Sequence, residues 1–271
     1  MLSAEVSTFG QQARLAVALS FVAGFTNAVA FVVGRNFISH MTGNSTMVGL
    51  TAAGGSWREL AFYAGAVGAF GLGGVTSAIM TELAIRRGAA RARYILPVAA
   101  EAALLTGLTL WLGGSGEGAM TRGWLFAAAF AMGLQNATIT KISGAVVRST
   151  HLTGVVTDLG IESVQMALYL LDRRRGRTWL GFISPGRVLR LTQRHPTGQR
   201  LALLACIWTS FVFGAGVGAV GFAHVGARAL LAPVGVLLGL VVVTYRNVRR
   251  RAAQGGIAVE RRAAESEDAW S

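Results

Sequence analysis

The chain has 271 residues, enough for one or two soluble domains, yet only 14% are charged, against about 25% in ordinary globular chains, and 53% are hydrophobic. With 36 glycines, four prolines, one cysteine and positive mean hydropathy, this composition excludes a disordered chain, a collagen-like repeat, a disulfide scaffold and a cysteine-rich metal site. The 25 Lys and Arg outnumber 12 Asp and Glu for a formal +13, which in so apolar a chain reads as basic loops that orient membrane spans, not as nucleic-acid binding.

Residues 1-13 read as a cytoplasmic N-terminus. Six stretches then have the roughly 20 apolar residues that cross a bilayer core: Leu15 to Gly34, Leu60 to Met80, Tyr94 to Leu112, Trp124 to Ile142, Leu201 to Ala223 and Ala229 to Tyr245. Ala28-Val29-Ala30 resembles a signal-cleavage site, but the preceding run is long for a signal peptide and cleavage would destroy the repeat described below. Two semi-apolar stretches, Asn36 to Gly54 and Ser143 to Leu171, lie between spans. Arginine clusters after the second span, before the fifth and after the sixth share one face only if neither stretch makes a net crossing. The expectation is therefore six crossings, two re-entrant segments and both termini in the cytoplasm. Residues 14-113 form the first half, 114-122 an external connection, and 123-245 the second half, including a basic cytoplasmic loop at 173-200. Residues 246-271 read as a disordered cytoplasmic tail.

The halves share a pattern. Gly24-Phe25-Thr26-Asn27-Ala28 aligns with Gly133-Leu134-Gln135-Asn136-Ala137, and His40-Met41-Thr42-Gly43 with His151-Leu152-Thr153-Gly154. Three crossings per half make the second copy run upside down. The fold class is thus an all-α polytopic transmembrane bundle of about six spans in two inverted three-span repeats with two re-entrant or broken helices, a plan common among secondary transporters.

Broken backbone at membrane depth is tolerated where protein or water satisfies it. Gly43 and Gly154 allow tight turns, Thr42, Ser45 and Thr46 offer cap oxygens, and helix N-termini beside His40 and His151 favour an anion. Arg35 and Arg148 add charge at each mouth. The same His, Thr and Gly residues, with Thr153, equally suit packing that locks two broken helices. Asn27, Asn136 and Gln135 offer amide groups either to a ligand or to neighbouring helices. Glu101, Asp158 and Glu162 are the intramembrane carboxylates available to bind a coupling ion, or to pair structurally with Arg148 or Lys141.

The "FISHMTGN" run, Phe37 to Asn44, with "GLQNA", Gly133 to Ala137, and "THLTG", Thr150 to Gly154, resembles the YoaK family of bacterial integral membrane proteins of unknown function. That resemblance covers about Leu15 to Tyr245. It implies a multi-pass inner-membrane protein of about six helices, often assumed to be a transporter, without a settled substrate.

The expected function is secondary transport of a small anionic or zwitterionic metabolite at a midplane site built from the two His-x-Thr-Gly motifs. The alternative is a channel or a non-transporting scaffold. No enzyme activity, cofactor or metal site is expected, since there is no HExxH motif and the single cysteine lies in an apolar run. Expected partners are anionic lipids at the cytoplasmic face, drawn by the arginines and Trp179 of the 173-200 loop, and a small-molecule or ion substrate. Nucleic acid is not among them, and homo-oligomerisation stays open.

Overall fold

The computed structural model describes residues 9-89, 93-114, 122-142, 152-175, 192-193 and 195-268, and among these there is no strand. The helices are α1 (Phe9–Gly34), α2 (Met41–Ala53), α3 (Trp57–Arg86), α4 (Ile95–Gly114), α5 (Arg122–Ile142), α6 (Leu152–Arg175), α7 (Pro196–Val225) and α8 (Leu231–Asp268), with a 3-10 turn at Gly226–Leu230 before α8. The 114-122 connection and most of the 173-200 loop lie outside the described residues. Backbone helix continues to Asp268, where the composition suggested a disordered tail. The Arg and Glu that make this segment polar, and the Ala among them, are strong helix formers.

Five described stretches are long and apolar enough to cross a membrane: Ala13–Gly34, Trp57–Arg86, Ile95–Gly113, Leu152–Asp172 and Pro196–Arg250, the last containing α7 and the first part of α8. The expected fourth span forms α5 but is not among them, because Gln135, Asn136, Thr138, Thr140 and Lys141 dilute its apolar face. Burial explains how these polar groups are accommodated. Trp124, Ala128, Ala129, Ala131, Met132, Leu134, Gln135 and Thr138 are all at or below 1% exposure, so α5 faces other helices on nearly every side. The outer surface is apolar instead, with Leu72, Val75 and Ile79 of α3 and Val212, Phe213 and Val220 of α7 exposed, as expected of lipid-facing positions.

Side-chain ties fix the helix directions. Val17 with Ser210, Phe21 with Gly214 and Phe25 with Gly218 rise together, so α1 and α7 are parallel. Phe126 with Gly65, Phe130 with Gly73 and Thr138 with Ser77 rise together, so α5 and α3 are parallel. Conversely, Leu19 with Gln135 and Gly34 with Leu125 make α1 and α5 antiparallel. Leu108 with Trp124 and Tyr94 with Lys141 do the same for α4 and α5. By these directions Arg14, Arg86, Arg87, Lys141 and Arg200 share one end of the bundle, the basic end, toward which α8 also carries Arg246, Arg249 and Arg250. Arg122 sits at the opposite end, paired with Glu59 at 2.7 Å and donating to the Arg58 carbonyl.

The two parallel pairs are built alike. A Cβ at Gly24 would overlap the carbonyl oxygen of Phe211, and one at Gly214 that of Phe21; in the other pair, Gly133 abuts the Phe70 carbonyl and Gly73 that of Phe130. Four Phe-x-x-Gly segments therefore interlock two by two, each glycine admitting the partner's backbone. Small residues of this kind are what let membrane helices approach closely. The interval from Phe21 to Phe130 equals that from Gly24 to Gly133, and Phe70 to Phe211 equals Gly73 to Gly214.

Candidate functional site

α1 ends in an unusual way. Arg35, immediately after Gly34, has φ of 54°, a left-handed conformation that costs a side-chain-bearing residue energy and that usually marks a constrained site. The chain then folds back along α1. Ser39 donates to Asn27 Oδ1 from its backbone N–H at 3.2 Å and from its hydroxyl at 3.1 Å, and Asn27 lies seven residues before Gly34, about 10 Å at 1.5 Å per residue. Phe37 stacks on Phe31 with centroids 4.3 Å apart, Ile38 is buried, and Asn44 Nδ2 donates to the Phe37 carbonyl at 3.3 Å. α2 thus starts partway down the bundle, near the level of Asn27, and runs outward from there.

His40 is the residue before α2 and makes no side-chain cap bond. Its imidazole lies over Gly43, where a Cβ would overlap the ring. Thr46 donates back to the Thr42 carbonyl at 3.0 Å, so this hydroxyl closes a helical turn and does not cap α2. Together Arg35, Phe37, His40, Thr42, Asn44 and Tyr63 line an open cleft of about 440 Å³. His40 and Arg35 are exposed in it. The arrangement offers a guanidinium, an imidazole and a helix N-terminus to one ligand, a combination suited to a carboxylate or other small anion.

The second motif is only partly described. His151 and Arg148 lie outside the described residues. α6 begins at Leu152, directly after His151, as α2 begins at Met41 directly after His40. Thr157 donates to the Thr153 carbonyl at 2.9 Å, matching Thr46 on Thr42, and Gly154 is half-buried. α2 packs on α3 and α6 packs on α7, so the described residues gather the first motif into a cleft without joining it to the second. The cleft around His40 opens at the surface beside the hairpin of α2 with α3, and His151, the other half of the expected shared pocket, lies outside the described residues.

Asp158 and Glu162 are not free. Arg200 spans both, with Nε 3.1 Å from Glu162 and Nη2 3.5 Å from Asp158. Among the described residues their partner is an arginine in the first turns of α7 and not Lys141, so the pair clasps α6 to α7; Arg148 lies outside the described residues.

The polar interior lies elsewhere. Gln135 Nε2 donates to the Leu19 carbonyl at 2.5 Å, tying α5 to α1, while Gln135 Oε1 and Thr26 Oγ1 are buried without a hydrogen-bond partner. These two are counterparts in the aligned GFTNA and GLQNA segments. Asn136 is half-buried on α5. Glu101, fully buried on α4, has no partner on either carboxylate oxygen. Among the described residues no group of three or more His, Cys, Asp or Glu is placed to hold a metal.

The four Phe-x-x-Gly contacts are what sequence reasoning missed. Their signal was present as equal intervals, but the α1-to-α5 interval differs from the α3-to-α7 interval, so a search at one fixed spacing does not join them.

No curated protein and no solved structure matches the chain. A family model does match, over residues 15–243. The chain therefore belongs to the uncharacterised family described as "Protein of unknown function (DUF1275)".

Proposed function

We propose that the protein is a secondary transporter of a small anionic or zwitterionic metabolite in the bacterial cytoplasmic membrane, built from two inverted halves with both termini in the cytoplasm. The observation that carries this reading is the matched Phe-x-x-Gly packing of α1 with α7 and of α3 with α5. A twofold operation that exchanges antiparallel α1 and α5 also exchanges the two pairs. Such a bundle has two equivalent ways to open, one at each end, and a solute that binds both states can be passed between them. Closed packing of Leu19, Val22, Leu105 and Met132 at the centre, all fully buried, favours a carrier over an open pore. The cleft of Arg35, His40 and Thr42 is one solute site, and the aligned His151, Thr153 and Gly154 are its counterpart in the second half. The clustered arginines of the basic end support a cytoplasmic location for that end.

The test is counterflow of small carboxylates and amino acids in proteoliposomes. His40→Ala and His151→Ala are each expected to abolish saturable exchange while melting at the wild-type temperature. Undiminished exchange in both variants removes the two motifs from the solute path. Ser56→Cys in a Cys206→Ser background is expected to label from outside the cell; labelling only from the cytoplasm inverts the orientation.

A further inference from the structure

Glu101 is the one acid described in the centre of the bundle, and its position in the repeat is informative. Pro97-Val98 of α4 and Pro233-Val234 of α8 match, with Val98 and Val234 both buried. Four residues after each proline stand Glu101 and Leu237, both at 0% exposure. The same core position thus holds leucine in one half and a carboxyl group in the other. Packing alone is satisfied by leucine, so packing does not account for the acid.

Its depth follows from the ties of α4 to α5. Glu101 is midway between Tyr94, which bonds the Lys141 carbonyl, and Leu108, which accepts from Trp124. That places it level with Met132 and Gly133, at the crossing of α5 with α3. No countercharge is near among the described residues. The titratable groups on the elements packed against α4 are Arg122 and Lys141 of α5, Arg228 of the 3-10 turn, Arg58, Glu59, Tyr63, Glu82 and Arg86 of α3, and, on α8, Tyr245, Arg246 and the charged residues that follow them. Each lies about two helical turns or further from Glu101's level. An ionised carboxylate with neither countercharge nor hydrogen bond in such surroundings is strongly disfavoured. A metal cation would need several oxygen ligands around it, and neither Glu101 oxygen has even one polar partner. A proton needs only the carboxyl itself.

We propose that Glu101 is a proton-binding site, loaded in this closed conformation and emptied when the halves part and water reaches it. On opening, the O–H bond of the carboxylic acid breaks, its proton passes to water as hydronium, and the carboxylate stays on α4; closing reverses the transfer. The buried hydroxyls of Ser77, Thr138 and Thr81, the first two 2.8 Å apart, lie between this level and the basic end and mark the side on which the proton leaves. As a coupling device the site rests on the transporter reading; as a proton site it does not.

Infrared spectroscopy of the full-length protein in liposomes decides the matter without a known solute. The wild type is expected to show a carboxylic-acid carbonyl band at neutral pH that is lost in both Glu101→Gln and Glu101→Leu. A wild-type spectrum indistinguishable from both variants in this region overturns the proposal. Glu101→Leu, which copies Leu237, is expected to melt above the wild type, so loss of the band there cannot come from unfolding. With a pool of small carboxylates, an imposed pH gradient is expected to drive accumulation in the wild type and none in Glu101→Gln. Accumulation undiminished in the variant overturns the coupling role. A wild type that moves no solute defeats the transporter reading and leaves the infrared result standing.

Discussion

α2 and α6 start from the same motif and are fastened by different chemistry. The approach to α2 is held by neutral hydrogen bonds from Ser39 to Asn27 on α1, and its far end turns through Gly54 and Gly55 into α3. α6 is held by an arginine on α7 that bridges Asp158 and Glu162. Beneath them the paired cores are nearly interchangeable. The two parallel helix pairs match where backbones touch, and the chain's two ends differ where charges sit: at Arg200, whose clasp has no ionic counterpart on α2, and at Glu101, where the matching Pro-Val segment of α8 has Leu237.

The sharpest way to break this comparison is to load the cores equally. Gly24→Ala and Gly133→Ala each push a methyl group into a partner carbonyl, at Phe211 and Phe70. Each is expected to cost about 1–3 kcal/mol or more, since neither backbone can yield without parting the helices. Thermal melting in detergent should show similar losses, and a silent change at one site beside a large one at the other would end the equivalence. Next in size is Asn27→Ala. Removing the acceptor of two Ser39 bonds should cost about 1–2 kcal/mol, seen as faster hydrogen exchange across residues 36 to 45 with α6 unchanged. Smallest is Arg200→Ala. Arg200 is half exposed, so the clasp contributes about 1 kcal/mol or less after solvent screening. Here the diagnostic is salt: exchange in α6 should rise with ionic strength in the wild type, while the neutral anchor of α2 should not respond.

How much of this was readable in the residues varies with the kind of force involved. The paired His-x-Thr-Gly motifs point to tight turns at Gly43 and Gly154, yet both glycines lie in the first turn of helices that begin at Met41 and Leu152. The first return toward the bundle was foreseeable from glycine and polar residues between apolar runs. Which side chains meet was not. Arg200 reaches Glu162 across an interval that no local pattern encodes, and Asn27 proved to be a clamp on Ser39. Gln135 and Thr138 weaken α5 as an apolar run, and that α1 and α3 receive them is a long-range fact no local pattern shows.

That same helix carries a consequence for how the protein is made. A segment with Gln135, Asn136, Thr138, Thr140 and Lys141 partitions poorly from water into lipid by itself. In the six-span arrangement we propose, its stability in the bilayer is lent by neighbours synthesised before it: Leu19 of α1 accepts from Gln135, Ser77 of α3 meets Thr138, and Leu108 of α4 accepts from Trp124. Insertion of α5 is therefore expected to wait for α1, α3 and α4, so that a chain lacking any one of them would leave α5 stalled outside the hydrocarbon, exposed to membrane proteases.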